Sequence, residues 1–334
     1  MTLLVTGGAG YIGSHTTYQL IEAGHRVIVL DNLSTGFRTA VAAGARLVEG
    51  DVGDMSMLTR LFDGRDEKID AVLHFAALTE VAESVEKPLK YYQNNVVNSI
   101  ALIEAAVKGG VKNFVFSSTA AVYGEPPGSQ PMLETTPLAP INPYGAGKAM
   151  VERILTDAEK GTGLRSVILR YFNAAGARPD GQIGQSTPRA THLIKVACEA
   201  AVGRREKLTI FGDNYPTPDG TCMRDYIHVD DLASAHLLAL EYLGAGGKSE
   251  IFNVGNSRQH SVLEVLSAVE KVSGKSIRSE RGPRRPGDPS SIAASNEKIR
   301  RLLGWRAKNE DLEFICKTAY AWELSQVNSA GEVQ

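Results

Sequence analysis

The chain opens with a short apolar run, Thr2–Thr6, that leads directly into Gly7, Gly10 and Gly13 and then a helix-length amphipathic stretch, Tyr11–Ala23. This Gly-x-x-Gly-x-x-Gly turn constrains the fold more than any other feature. The first glycine permits a tight turn, the second lets backbone approach a pyrophosphate, and the third lets helix and strand pack closely. Exposed N–H groups and the helix dipole then favour phosphate. A tight turn alone would also use glycine, but this one sits at the first strand–helix junction. Asp31 ends the next apolar run, where a carboxylate hydrogen-bonds the adenosine ribose and repels a 2′-phosphate. The loop therefore reads as a site for NAD rather than NADP. Asp31 with Asn32 would also suit a turn, and Asp51, after the third run, suits a helix cap nearly as well as an adenine contact.

Further apolar runs at Arg26–Leu30, Arg46–Glu49, Ala71–Phe75, Phe114–Ser117 and Ser166–Tyr171 read as buried parallel strands. Helical segments at Leu89–Lys108 and Tyr144–Glu159 lie between them. The alternation predicts an α/β fold with a doubly wound parallel, Rossmann-type sheet. After Asn173 the pattern changes. Ala174–Pro188 reads as a loop, followed by a helix at Ala190–Val202, a strand at Leu208–Phe211, and helices at Asp230–Leu243, Val262–Val272 and Leu312–Glu323. We therefore expect an NAD-binding domain over 1–174 and a smaller, mixed substrate domain over 175–334. An element of the second half is free to return to the first sheet. The polar tail after Leu324 is expected to fray.

Composition narrows the class. Hydrophobic residues make up 43% and charged residues 22% of 334, and the formal net charge is -2, which gives no basic surface for nucleic acid. No apolar run approaches the roughly 20 residues of a membrane span, and the N-terminus is a poor signal peptide. Cys198, Cys222 and Cys316 show no metal-ligand spacing and fit a reducing, cytoplasmic home. No metal is expected.

Tyr144 and Lys148 are four residues apart after Pro143, so on a helix they share a face. Ser117-Ser118-Thr119 ends the fifth strand, the end at which open α/β sheets gather ligands. A phenol with a reference pKa near 10 needs help of about 3 units, or roughly 4 kcal/mol, to act as a base near neutrality. An ammonium and a positively charged nicotinamide would supply much of it.

These features together resemble the extended short-chain dehydrogenase/reductase family. Longer strings resemble its UDP-sugar 4-epimerase branch: VTGGAGYIGSHT at Val5–Thr16, LDNLS at Leu30–Ser34, HFAAL at His74–Leu78, ESVEKPLKYYQNNV at Glu83–Val96, FSSTAAVYG at Phe116–Gly124, LRYFNAAGA at Leu169–Ala177, RDYIHVDDLASAH at Arg224–His236 and RRPGD at Arg284–Asp288. The resemblance implies interconversion of UDP-glucose and UDP-galactose by transient oxidation at C4 with tightly bound NAD. Tyr144 would take the 4-hydroxyl proton, Lys148 would lower its pKa and hold the nicotinamide ribose, and Thr119 would bond the 4-oxygen. The cofactor would lie against Gly7, Gly10, Tyr11, Ile12, Gly13, Asp31, Asn32, Asp51, Val52, Phe75, Ala76, Ala77, Asn94, Ser117, Tyr144, Lys148 and Tyr171. The nucleotide sugar would meet Thr119, Tyr144, Asn173, His192, Leu193, Phe211, Arg224, Tyr226, Val262, Arg285, Asp288 and Ile292. Arginine forks suit a diphosphate, although Arg224 and Arg285 would also serve as surface salt-bridge partners. The resemblance further implies a homodimer built on the helices around Leu89–Lys108 and Val151–Glu159.

The sequence departs from the branch at Thr79, where a lysine is expected beside the cofactor, and at His192, where an asparagine is expected. Ile292 stands at a position that gates N-acetyl groups. Other UDP-sugar 4-epimerases, acting on N-acetylglucosamine, glucuronate or xylose, use the same catalytic residues. Nucleotide-sugar dehydratases carry two acids after the strand-end threonine, whereas Ala120 and Ala121 stand here. A non-catalytic NAD sensor would have lost Tyr144 or Lys148.

Overall fold

A computed structural model describes residues 1–125, 130–187, 190–285 and 288–331. The first half runs β1 (Thr2–Thr6), α1 (Tyr11–Glu22), β2 (Arg26–Asp31), β3 (Ala45–Glu49), α2 (Met55–Phe62), β4 (Ala71–His74), α3 (Val81–Glu86), α4 (Pro88–Tyr92), a π turn (Gln93–Val97), α5 (Asn98–Lys108), β5 (Asn113–Ser117), α6 (Pro143–Thr162) and β6 (Arg165–Tyr171). The second half adds β7 (Asn173–Ala175), α7 (Leu193–Ala201), β8 (Leu208–Phe211), β9 (Met223–His228), α8 (Val229–Gly244), β10 (Glu250–Val254), β11 (Gln259–Ser261), α9 (Val262–Ser273), β12 (Ser279–Gly282), β13 (Ser291–Ile292), α10 (Glu297–Leu303) and α11 (Leu312–Gly331).

Seven parallel strands form one sheet in the order β10-β6-β5-β4-β1-β2-β3. Strand alternation divides its side chains between two apolar layers. Leu3, Val5, Val29 and Leu73 pack with residues of α8, including Leu232 and Leu240, on one face. Leu4, Ile28, Val72 and Phe114 pack with α2, α5 and α6 on the other. Both faces are thus covered, as the continuous apolar runs require. The chain order reverses at β1 and β4, which opens a crevice beyond the carboxyl ends of these strands.

Smaller sheets border that crevice. β9 pairs with β11, β13 and β7, and β8 pairs with β12. A third apolar cluster, including Ile194, Ile210, Val265 and Ile315, supports them, and it holds all three cysteines as buried free thiols.

The structure differs from the sequence reading at several elements, among them five short strands of the second half and the helix expected from Ala190, which starts at Leu193. Leu89–Lys108 is not one helix, because a π turn at Gln93–Val97 interrupts it. The extra residue turns Asn95 inward, where its amide accepts from Leu78 N–H and donates to Leu78 C=O, both at 2.9 Å. The stretch from Ala174 begins as β7 rather than as loop, because it adds to β9. The tail does not fray at Leu324, since α11 continues to Gly331. A helix satisfies its own backbone there without needing an apolar face.

Candidate active site

A cleft of about 1250 Å³ crosses the carboxyl ends of the parallel strands and is bounded on its far side by β13. Its floor is the glycine turn. Gly7 has φ +74°, and a Cβ there would come within 2.6 Å of the Ala76 nitrogen, so only glycine lets this turn lie against the end of β4. Asp31 both faces the cleft and latches the turn. Its carboxylate accepts from Ala9 N–H at 2.9 Å and Leu33 N–H at 2.8 Å. Burial pushes this carboxyl up, and the two N–H donors pull it back.

Asp51 is not the cap of α2; Asp54 is, accepting from Ser56 and Met57 N–H. The Asp51 carboxylate instead takes Asn32 Nδ2 at 2.8 Å and Asn98 Nδ2 at 3.0 Å, which ties together two walls of the cleft. Behind the floor, Ser99 donates to the Asn95 carbonyl, so its oxygen accepts from His74 Nε2, and His74 Nδ1 accepts from Thr6. Burial lowers the His74 pKa to about 3 and keeps the ring neutral.

Tyr144, Lys148 and Thr119 meet where α6 crosses the end of β5. The Asn142 side chain caps the helix by accepting from Gly145 N–H at 2.8 Å, and Pro143 presets its first turn. A Cβ on Gly145 would stand 2.6 Å from the Ala121 carbonyl, so glycine is what lets the helix approach the Thr119 segment. Desolvation pushes the Tyr144 phenol up, and the neighbouring Thr119 hydroxyl, which accepts from Ala121 N–H at 3.1 Å, pulls it partly back. Lys148 Nζ donates to the Ser117 carbonyl at 2.7 Å and lies 4.7 Å from the centre of the Phe116 ring. Burial lowers its pKa to about 7. Ser117 Oγ is 2.9 Å from the Tyr171 hydroxyl. Ala120 and Ala121 line the cleft, so no carboxylate follows Thr119.

Of the residues expected at the cofactor, Gly7, Gly10, Tyr11, Ile12, Gly13, Asp31, Asn32, Asp51, Val52, Phe75, Ala76, Ala77, Asn94, Tyr144 and Tyr171 line the cleft. Ser117 and Lys148 lie buried directly behind it. Of those expected at the substrate, Thr119, Tyr144, Asn173, His192, Arg224, Asp288 and Ile292 line it as well. Arg224 pairs with Asp288, so its salt bridge forms on the cleft wall rather than on the outer surface. Leu193, Phe211, Tyr226, Val262 and Arg285 do not line the cleft. Tyr226 and Val262 are buried in the third apolar cluster, and Leu193 packs against it. The exposed Arg285 guanidinium stacks 4.0 Å from the Phe211 ring centre.

Sequence reading missed Gln185, whose amide nitrogen is 3.0 Å from His192 Nδ1. It also missed Glu152 and Arg170, a buried pair beyond Lys148. Glu152 continues the spacing of Tyr144 and Lys148 by one more helical turn, which is the one signal that could have found it. Among the described residues no group of three or more His, Cys, Asp or Glu side chains is placed to hold a metal ion, and no helix is long and apolar enough to cross a membrane.

Fold and cleft together define an NAD-dependent Rossmann-type enzyme built around a tyrosine–lysine helix. The family profile described as "NAD dependent epimerase/dehydratase family" matches residues 3–255, and the chain belongs to that family. It is 53% identical over 330 residues to the UDP-glucose 4-epimerase of Azospirillum brasilense, covering 99% of this chain and 94% of that protein. Among solved structures it resembles the UDP-glucose 4-epimerase from Brucella ovis in complex with NAD, with a TM-score of 0.93 and 43% identity over 97% of this chain and 98% of the other. It also resembles the UDP-Glc/GlcNAc 4-epimerase from Campylobacter jejuni, with a TM-score of 0.85 and 50% identity over 97% of this chain and 99% of the other.

Proposed function

We propose that this chain interconverts UDP-glucose and UDP-galactose by reversible oxidation at C4, with NAD as a resident cofactor. One observation carries the reading. The Tyr144 phenol and the Thr119 hydroxyl line the same cleft, while Lys148 holds the end of the adjoining strand from one turn further along the helix.

The cradle suits a dinucleotide: a glycine turn pressed against β4, an acidic latch at Asp31, and the Asp51–Asn32–Asn98 wall. Bound NAD supplies a hydride acceptor and donor. Tyr144 takes the 4-hydroxyl proton as general base and later returns it. Thr119 fixes the 4-oxygen beside that phenol. Lys148 sets the position of the Ser117 carbonyl, and its ammonium favours the phenolate. Arg224 and Asp288 face the nucleotide, and Arg285, stacked on Phe211, is near enough along the chain to complete a diphosphate clamp. Leu193, Tyr226 and Val262 support that end of the cleft from the apolar cluster. We assign residues 1–174 to cofactor and 175–334 to nucleotide sugar, with β10 as the segment of the second half that lies beside β6.

The protein acts as a cytoplasmic homodimer in this reading. Val85, Leu89, Val97, Ile100 and Met150 expose apolar surface on α3 to α6, and Leu89 is 80% exposed. Such a stripe is what a helical interface buries. A second reading, turnover of N-acetylated UDP-sugars, is favoured by Ile292 at the cleft wall. Incubating the purified protein with UDP-galactose, UDP-N-acetylgalactosamine and UDP-glucuronate decides among substrates. Failure to form any 4-epimer would overturn the assignment.

A further inference from the structure

One helical turn beyond Lys148, Glu152 is 3% exposed and is bonded by residues of two strands. Ser118 donates its hydroxyl to the carboxylate at 2.5 Å. Arg170, also 3% exposed, grips it through Nε at 3.1 Å to each oxygen and through Nη2 at 2.5 Å. Arg170 Nη1 donates to the Tyr123 hydroxyl at 3.0 Å and to the Glu134 carbonyl at 3.2 Å. Tyr123 donates to Asn253 at 2.6 Å, and Asn253 donates to the Met132 carbonyl at 2.8 Å. Met132 N–H in turn donates to Ala293, the residue after β13.

We propose that Glu152 is a positioning residue for Lys148: fixed by Arg170 and Ser118, its carboxylate holds the charge on the buried lysine that the Tyr144 base requires. This rests on the epimerase reading of the cleft. The groups around Lys148 support it. Its own helix offers Tyr144 and Glu152. β5 offers the Phe116 ring and Ser117 carbonyl, β4 the neutral His74, and β6 Tyr171 (through Ser117) and Arg170. A buried ammonium favours losing its proton unless an anion opposes that loss. Burial draws Lys148 down to about 7, and Glu152 is the group that pushes it back up. Adjacent residues at the end of β5 bind the two side chains: the Ser117 carbonyl receives Lys148 and the Ser118 hydroxyl bonds Glu152, which places the carboxylate beside the lysine one helical turn away.

E152Q keeps the shape and the acceptor oxygen but removes the charge. In the NAD-loaded protein labelled with 13Cε-lysine, with K148R identifying the Lys148 signal, we expect the Lys148 titration midpoint to fall by about one pH unit. The alkaline limb of the rate profile should move down with it, with NAD content retained. An unchanged midpoint and limb overturns the proposal. Because E152Q orphans Arg170, E152M combined with R170M serves as a second variant, since apolar replacement of a buried pair is often tolerated. A smaller fall in the same direction is expected there, because the Arg170 charge leaves with the carboxylate. If neither variant accumulates as folded protein, the pair is a folding element and the proposal falls. The NMR midpoint is read whether or not the wild-type protein epimerises any sugar, so failure of the reaction assignment is seen separately.

Discussion

The Lys148 ammonium donates a 2.7 Å hydrogen bond to the Ser117 carbonyl, and that contact ties the end of β5 to the helix carrying Tyr144. Thr119 lies two residues past Ser117, and Tyr144 lies one turn before Lys148, so the contact fixes phenol and hydroxyl relative to each other. The lysine therefore has a geometric duty as well as an electrostatic one.

Replacing Tyr144 with Phe should lower epimerisation about 100- to 10,000-fold, the usual range for general acid–base help. The ring is kept, so fold and NAD content should persist. A rate above about a tenth of wild type would put the base elsewhere.

Lys148→Ala should lower activity and move its acid limb to higher pH. The sign follows from the phenol, which desolvation already holds above its ordinary value. Removing a nearby positive charge raises it further, so phenolate appears later as pH rises. A rate–pH profile that keeps its acid midpoint would show that the ammonium does not act on Tyr144.

Gly145→Ala tests the helix approach. Its new Cβ would stand 2.6 Å from a backbone carbonyl, and overpacking of this kind costs about 1–3 kcal/mol. Tyr144 should be pushed from Thr119, with kcat falling more than stability. Chemical denaturation and turnover measured together check this, and a fully active variant would remove glycine's role.

NAD should bind more tightly than NADP, because Asp31 faces the cleft and repels a 2′-phosphate. Titrating both into cofactor-stripped protein is decisive, since equal or tighter NADP binding would sink the assignment of Asp31.

Arg285→Ala should weaken UDP binding by about 1.5–3 kcal/mol with unchanged NAD content. Calorimetry with UDP checks it. An undiminished affinity would leave Arg285 only as the exposed partner of Phe211.

Local chemistry made the cofactor half of the site legible in the sequence. The turn from Gly7 to Gly13, Asp31 at a strand end, and Tyr144 with Lys148 at helical spacing depend on neighbours close in the chain, and strand and helix periods carry them. The apolar runs set the parallel sheet for the same reason, since strands buried on both faces must be apolar throughout. The substrate side was less legible. Arg224 and Asp288 meet only because β9 and β13 pair, and Gln185 reaches His192 from within a loop. The strand Met223–His228 has no apolar run to announce it, because polar Arg224, Asp225 and His228 interleave with Tyr226 and Ile227, the two residues that it sends into the apolar clusters. The π turn that aims Asn95 at Leu78 was also hidden, because its apolar pattern matches that of an uninterrupted helix. Tertiary structure alone decided Glu152. A carboxylate on a helix is ordinarily solvated, and only the arrival of Arg170 from β6 and Ser118 from the end of β5 makes it a buried, paired neighbour of Lys148.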